Sequence, residues 1–152
     1  MNNGIIYTSY ANYTRFYMRW WLSSQDVPNN RSLISWEIGV QGTAGRTAYW
    51  YSNAVRIDSG YVDGQLVNGS NTYSGITLPG DGLKGLRSGS TWIGHNADGG
   101  KGFGISVSGW LYGNGSRSAS GSWTLPVIPR NSQVTTSDSG AYDLGTPLDI
   151  FT

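Results

Sequence analysis

An all-β fold, an antiparallel β-sandwich of jelly-roll or carbohydrate-binding-module type, is what this sequence predicts, with a closed barrel as the alternative. Three observations carry that prediction. Apolar and polar residues alternate at period two over several segments, and 23 glycines among 152 residues supply turns between them. Charged residues make up only 12% of the chain, too few for exposed helices, which draw heavily on Lys and Glu.

The first clear strand runs from Arg15 to Leu22, with Phe16, Met18, Trp20 and Leu22 on one face and Arg15, Tyr17, Arg19 and Trp21 on the other. Asp26 to Asn30 is a turn by composition. The next run then places Ile34, Trp36, Ile38 and Val40 inward, with Ser35, Glu37 and Gly39 outward. Thr47 to Ile57 is rich in strand formers. The Asp63-Gly64 pair inside Gly60 to Val67 suits a tight hairpin turn, and Asn71 to Ile76 is a further short strand. Leu78 to Arg87 holds several glycine and proline breaks and reads as a surface loop with room for one helical turn. Ser90 to Gly94, the turn His95 to Gly100 and the alternating Phe103, Ile105 and Val107 form a hairpin. In Gly115 to Leu125 serine recurs at every second position, which suits an edge strand whose serines face solvent while Trp123 and Leu125 continue toward the core.

Pro126 and Pro129 remove backbone donors and end the sandwich, giving a domain over 1–130 and an extended segment over 131–152. That segment ends in Leu144, Leu148, Ile150 and Phe151, too few apolar groups for a second core. It is expected to dock on the domain or on a neighbouring subunit.

The composition also bounds the function. A net charge of +1 creates no long-range field for phosphates or anionic lipid, so neither nucleic acid nor membrane insertion is expected. The absence of cysteine excludes disulfides, thiolate metal clusters and a cysteine nucleophile. No apolar run approaches the roughly 18 residues of a membrane span, and the first residues lack the pattern of a signal peptide.

Catalytic constellations are sparse. His95 is the one histidine and sits beside the turn formers Asn96, Asp98 and Gly99, so these four residues read as a structural turn. Glu37 is the one glutamate, and the aspartates Asp63, Asp81 and Asp98 stand next to glycine in turn-like contexts; a glycosidase needs two carboxylates held across a cleft. No enzyme activity, cofactor or metal is expected, and no acidic loop is dense enough to suggest a calcium ion. The aromatic residues are more informative. The chain has 7 Trp and 10 Tyr, more than its core requires, and Tyr17, Trp21 and Trp110 fall on the outward phase of their strands. With Trp50 and Tyr112 they are the candidates for a subunit interface or for stacking on sugar rings, with burial in the core as the alternative.

The order of these motifs resembles a domain of bacteriophage minor structural and minor tail proteins from phages of Gram-positive bacteria. The resemblance covers residues 7–130. Its opening lies in the Arg15 to Val40 strand pair with the Ser24 to Ser32 turn. Its close lies in the His-Asn-x-Asp-Gly turn at 95–99, the alternating strand, the Gly/Ser strand and the exit Leu125-Pro126-Val127-Ile128-Pro129-Arg130. It implies a lectin-like sandwich located in a virion and made in the host cytoplasm, with other virion proteins and a second copy of itself as partners and host cell-wall carbohydrate as a candidate ligand. A capsid decoration protein and a carbohydrate-binding module of a secreted protein are the alternatives.

Overall fold

The computed structural model describes residues 2–11, 13–43, 49–51, 55–78, 82–111 and 114–130. Eleven strands occur among them and no helix. They are β1 (Asn3–Tyr7), β2 (Thr14–Asp26), β3 (Arg31–Gly42), β4 (Tyr49–Tyr51), β5 (Val55–Val62), β6 (Gln65–Asn68), β7 (Asn71–Tyr73), β8 (Ile76–Leu78), β9 (Leu83–Gly94), β10 (Gly102–Leu111) and β11 (Gly115–Thr124).

All named pairings are antiparallel. One sheet has the order β1-β2-β3-β9, and the second has the order β11-β10-β5-β6, with β7 also paired to β5. The short strands β4 and β8 pair with each other apart from both. The two main sheets pack face to face as a β-sandwich. Phe16, Met18, Trp20, Ile34, Trp36, Ile38 and Val40 of the first sheet meet Val55, Ile57, Val62, Phe103, Ile105, Val107 and Leu111 of the second.

The inward residues are those that the period-two pattern selects, because a strand presents alternate side chains to opposite faces and only one face of each sheet is dry. Two glycines make the interdigitation possible. A Cβ on Gly109 would stand 2.4 Å from the Phe16 ring, and one on Gly60 would stand 2.4 Å from Ile38 Cδ1. The β5–β6 hairpin turns on Asp63 (φ 53°) and Gly64 (φ 75°), the left-handed pair that a two-residue hairpin requires. Strand β11 is the edge of its sheet, with Ser116, Ser118, Ser120 and Ser122 exposed and Leu125 buried just beyond it.

Several sequence expectations are corrected. The loop expected over Leu78 to Arg87 is strand from Leu83 onward, part of a 12-residue strand paired with β3. Two of its glycines, Gly85 and Gly89, are there because β9 crosses bulky neighbours. A Cβ on Gly85 would lie 2.5 Å from Glu37 Oε2, and one on Gly89 would lie 2.8 Å from the Trp36 ring. The segment Thr47 to Ile57 holds two strands, β4 and β5, which belong to different sheets, and Asn71 to Ile76 is likewise divided between β7 and β8. Strand β1 was not foreseen. It pairs with β2 from Asn3↔Trp21 to Tyr7↔Tyr17 and places Gly4 where a Cβ would meet the Trp123 ring at 2.4 Å. The docking expected of residues 131–152 lies outside the described residues.

Candidate functional site

The outer face of the first sheet carries the densest set of chemically able side chains. Strand β2 directs Arg15, Tyr17, Arg19 and Trp21 to this face, opposite Gln41, Gly39, Glu37 and Ser35 of β3. Strand β1 adds Tyr7 beside Tyr17. Strand β9 adds Trp92, opposite Leu33.

Arginine and aromatic groups alternate across this surface. The Arg15 guanidinium lies 3.8 Å from the centre of the Tyr7 ring and 4.5 Å from that of Tyr10, while its Nε donates to Gln41 Oε1 at 2.8 Å. Arg19 lies 5.8 Å from the Trp21 ring centre, and Arg31 lies 4.2 Å from that of Trp92. At these distances each guanidinium is attracted to the negative face of a ring while its N–H groups can still donate. Glu37 sits in the middle. Its Oε1 accepts from Arg19 Nε at 2.8 Å and from the Tyr17 hydroxyl at 2.8 Å. At the sheet's end Asp26 accepts from Asn29 Nδ2 at 2.8 Å and from Arg31 Nε at 2.9 Å, and these two contacts hold its carboxyl below the usual range. Next to Trp21 a shallow depression of about 450 Å³ is lined by Asn3, Gly4, Ile5, Arg19, Trp20 and Trp21.

Tyr17 requires a correction. It follows the outward phase of β2, paired with Tyr7 of β1, but has no exposed surface. It cannot be a contact residue; it is the floor beneath the contact residues. Burial, and then its hydrogen bond to the Glu37 carboxylate, push its pKa far up. A phenol with a raised folded-state pKa contributes stability that is complete below the ordinary value near 10 and is lost as pH rises toward the folded value. Tyr17→Phe is therefore expected to flatten the fall of unfolding free energy with pH above about 10. Urea titrations between neutral and strongly alkaline pH read that slope, and an unchanged slope would contradict the assignment.

The remaining predicted residues are dispersed. Trp21 and Trp92 are each 38% exposed on this face. Trp110 lies on the outer face of the second sheet, where Arg56 stands 4.8 Å from its ring centre. The backbone of Trp50 pairs with Thr77, and its side chain, like the whole of Tyr112, lies outside the described residues. Tyr7, Tyr10, Arg15, Arg19, Arg31, Glu37 and Trp92 were not among the predicted site residues. The Arg-x-x-x-Arg spacing of β2 is a usable signal, but Tyr7 belongs to a strand that the sequence does not announce and Trp92 to one whose pattern is legible only over Ser90 to Gly94.

His95, Asn96, Asp98 and Gly99 form a pinned corner. Because a carbonyl only accepts, His95 Nδ1 donates to Gly99 O at 2.7 Å, which leaves Nε2 to accept from the Ser32 hydroxyl at 2.6 Å. Gln25 Nε2 reaches both Ser32 Oγ (3.2 Å) and Pro126 O (3.0 Å), and Asn30 Nδ2 donates to Asn96 O at 2.8 Å. Asp98 Oδ1 accepts from the Gly100 amide at 2.8 Å. The Ser32–His95 contact has the form of a nucleophile and its base, but Ser32 is fully buried, so no substrate carbonyl reaches its oxygen. The corner holds the exit segment against the sandwich. Among the described residues no group of three or more His, Asp or Glu is placed to hold a metal ion.

No family model, curated protein or solved structure matches this chain.

Proposed function

We propose that this chain is a non-catalytic virion structural protein, a minor tail or tail-tip component that self-associates through the outer face of its first sheet. The virion setting rests on the order of motifs from the Arg15 to Val40 strand pair through the exit at Pro126 to Arg130. The mode of action rests on one observation, the alternation of Arg15, Arg19 and Arg31 with Tyr7, Tyr10, Trp21 and Trp92 on a single face. Arg, Trp and Tyr are the residues that dominate the energetics of protein interfaces, because each covers a large area at small entropic cost or donates several hydrogen bonds. Glu37 and Asp26 give the same face a negative component. A two-fold contact, in which the same patch meets itself, therefore sets carboxylate against guanidinium.

Light scattering coupled to gel filtration tests the self-association. The wild type is expected to form an oligomer, and the double variant Tyr7→Ala, Trp21→Ala to weaken it by at least about thirtyfold, the cost of losing an interface hot spot of about 2 kcal/mol. Mass spectrometry and electron microscopy of purified particles test the setting. A chain that is monomeric at high concentration and absent from particles would sink the reading.

A further inference from the structure

A sheet ends in strands whose outer backbone groups have no partner, and proteins guard such edges with Lys, Pro, bulges or short length. The edges at β1, β6, β7 and β9 follow that rule. Strand β1 has 5 residues, β6 and β7 have 4 and 3, and β9 carries Lys84 and Arg87 and shifts register against β3 between Ile38 and Gly39. Strand β11 does not follow it. Its 10 residues hold no Pro and no Lys, and it pairs with β10 from Gly102↔Thr124 to Leu111↔Gly115 without a register shift. Among the described residues no strand pairs on its other side.

Two contacts fix the hydrogen-bond phase of this edge. The Leu125 amide donates to Lys101 O at 2.9 Å, and the Asp63 amide donates to Gly104 O at 2.8 Å, so Gly104 turns its carbonyl away from β11. Bonded and non-bonded positions alternate along an antiparallel pair. The odd-numbered residues of β11 therefore bond to β10, while Ser116, Ser118, Ser120 and Ser122 direct N–H and C=O at the open side. The Ser116 carbonyl is taken, by Arg117 Nη1 at 3.0 Å. Arg117 Nε, by contrast, is buried and has no acceptor among the described residues.

We propose that β11 pairs antiparallel with β11 of a second copy about a two-fold axis at Ser120, which joins the second sheets of the two copies into one continuous sheet. In this register Ser120 faces Ser120, Ser118 faces Ser122, and about six backbone hydrogen bonds form between groups that point at solvent in the single chain. The register is self-complementary on both faces. On the outer face serine meets serine, a pair whose hydroxyls bond each other across strands. On the inner face Ala119 meets Gly121, so nothing bulky collides, and Arg117 of each copy stands directly opposite Trp123 of the other. That pair is of the closer, non-bonded kind and sets a guanidinium against an indole ring.

Arg117 is what selects both the register and the partner. A shift of the two-fold axis to Ser118 would put Arg117 opposite Ala119, and a shift to Ser122 would put it opposite Val127, outside the strand. An inward-pointing charge ordinarily blocks an edge, because an arriving strand has nothing to receive it. A second copy of this chain does, since the same strand carries Trp123. The contact uses none of the face built on Arg15, Arg19 and Arg31, so one chain offers two separate self-contacts, and copies joined through both assemble beyond a dimer.

Oxidative cross-linking of the full chain reads the register directly, since the sequence has no cysteine. Ser120→Cys sets two thiols at a directly opposed pair, about 5.5 Å apart between Cα atoms, and is expected to give a disulfide-linked dimer. Ser116→Cys, whose two copies lie roughly 27 Å apart along the strands in this register, is expected to stay unlinked. Light scattering on the double variant Tyr7→Ala, Trp21→Ala, which removes the first-sheet contact, reads the edge contact alone. That variant is expected to remain a dimer at high protein concentration. Adding Ser120→Lys, at an exposed position, sets two ammonium groups face to face and is expected to raise the dissociation constant at least about tenfold with an unchanged circular dichroism spectrum. Ser120→Thr is expected to keep the dimer, and Arg117→Ala to weaken it about tenfold. A double variant that is monomeric, a dimer indifferent to Ser120→Lys, or Ser116→Cys linking as readily as Ser120→Cys would overturn the proposal, and none of these results bears on the first-sheet face.

Discussion

Replacing Trp20 by alanine is expected to lower the free energy of unfolding by about 3–5 kcal/mol, the range for removing a fully buried large aromatic side chain. The residue is 1% exposed and stands edge-on to two other rings, with Phe103 at 4.9 Å between centroids and Trp123 at 5.7 Å. These three rings come from β2, β10 and β11, so the cluster ties the first sheet to the edge of the second. Alanine would leave a cavity that neither sheet can close, since the backbone on each side is held by a continuous antiparallel ladder. A domain of this size has roughly 5–15 kcal/mol in total, so the variant is expected to be close to unfolding at physiological temperature. Urea denaturation should show a lower midpoint at unchanged slope. A loss below about 1 kcal/mol would mean that the cluster does not hold the sheets together.

Gly99→Ala is the second change with a large expected effect, although it adds only one methyl group. Gly99 has φ +89°, a backbone conformation open to glycine and strained for alanine by about 1–3 kcal/mol. The added Cβ would lie 1.9 Å from the carbonyl oxygen of Ile128, so the turn and the exit segment cannot both stay where they are. The Gly99 carbonyl also accepts from the Ile128 amide at 3.0 Å and from His95 Nδ1 at 2.7 Å. Movement of the turn puts both bonds at risk, and with them the seat of the fully buried Ile128. A loss above ~2 kcal/mol is expected, combining strain with one broken hydrogen bond. Gly64→Ala is the control. Gly64 has φ +75° with nothing within 4 Å of a Cβ, so it carries the backbone strain alone and should cost less. Equal losses in the two variants, measured by thermal unfolding, would remove the argument that the 95–99 turn and residues 125–130 form one unit.

The two outer faces divide the surface chemistry of the molecule. Guanidinium and aromatic groups crowd the first, around Glu37, while the second is a serine and glycine floor between Tyr61 and the β11 edge. The first offers area and charge suited to a protein.

The period-two alternation in β2, β3, β10 and β11 was enough to assign the sandwich and most of its core, because side-chain direction along a strand is a local property that tertiary contacts do not reverse. The solvent-facing serines of β11 and the Asp63-Gly64 turn were legible for the same reason, each resting on the residue itself and its nearest neighbours. Strand β9 was not legible. Its glycines look like breaks in the sequence, and only the approach of Glu37 and Trp36 from β3 shows why a strand needs them there. Tyr17 has the expected face but not the expected exposure, because its neighbours on that face include Tyr7 from a separate strand. The composition of each strand was therefore determined by the chain alone, whereas the membership of the Arg15, Arg19, Glu37, Tyr7 and Trp92 surface depended on which strands became neighbours. That pairing depends on contacts between residues far apart in sequence, and no local pattern records them.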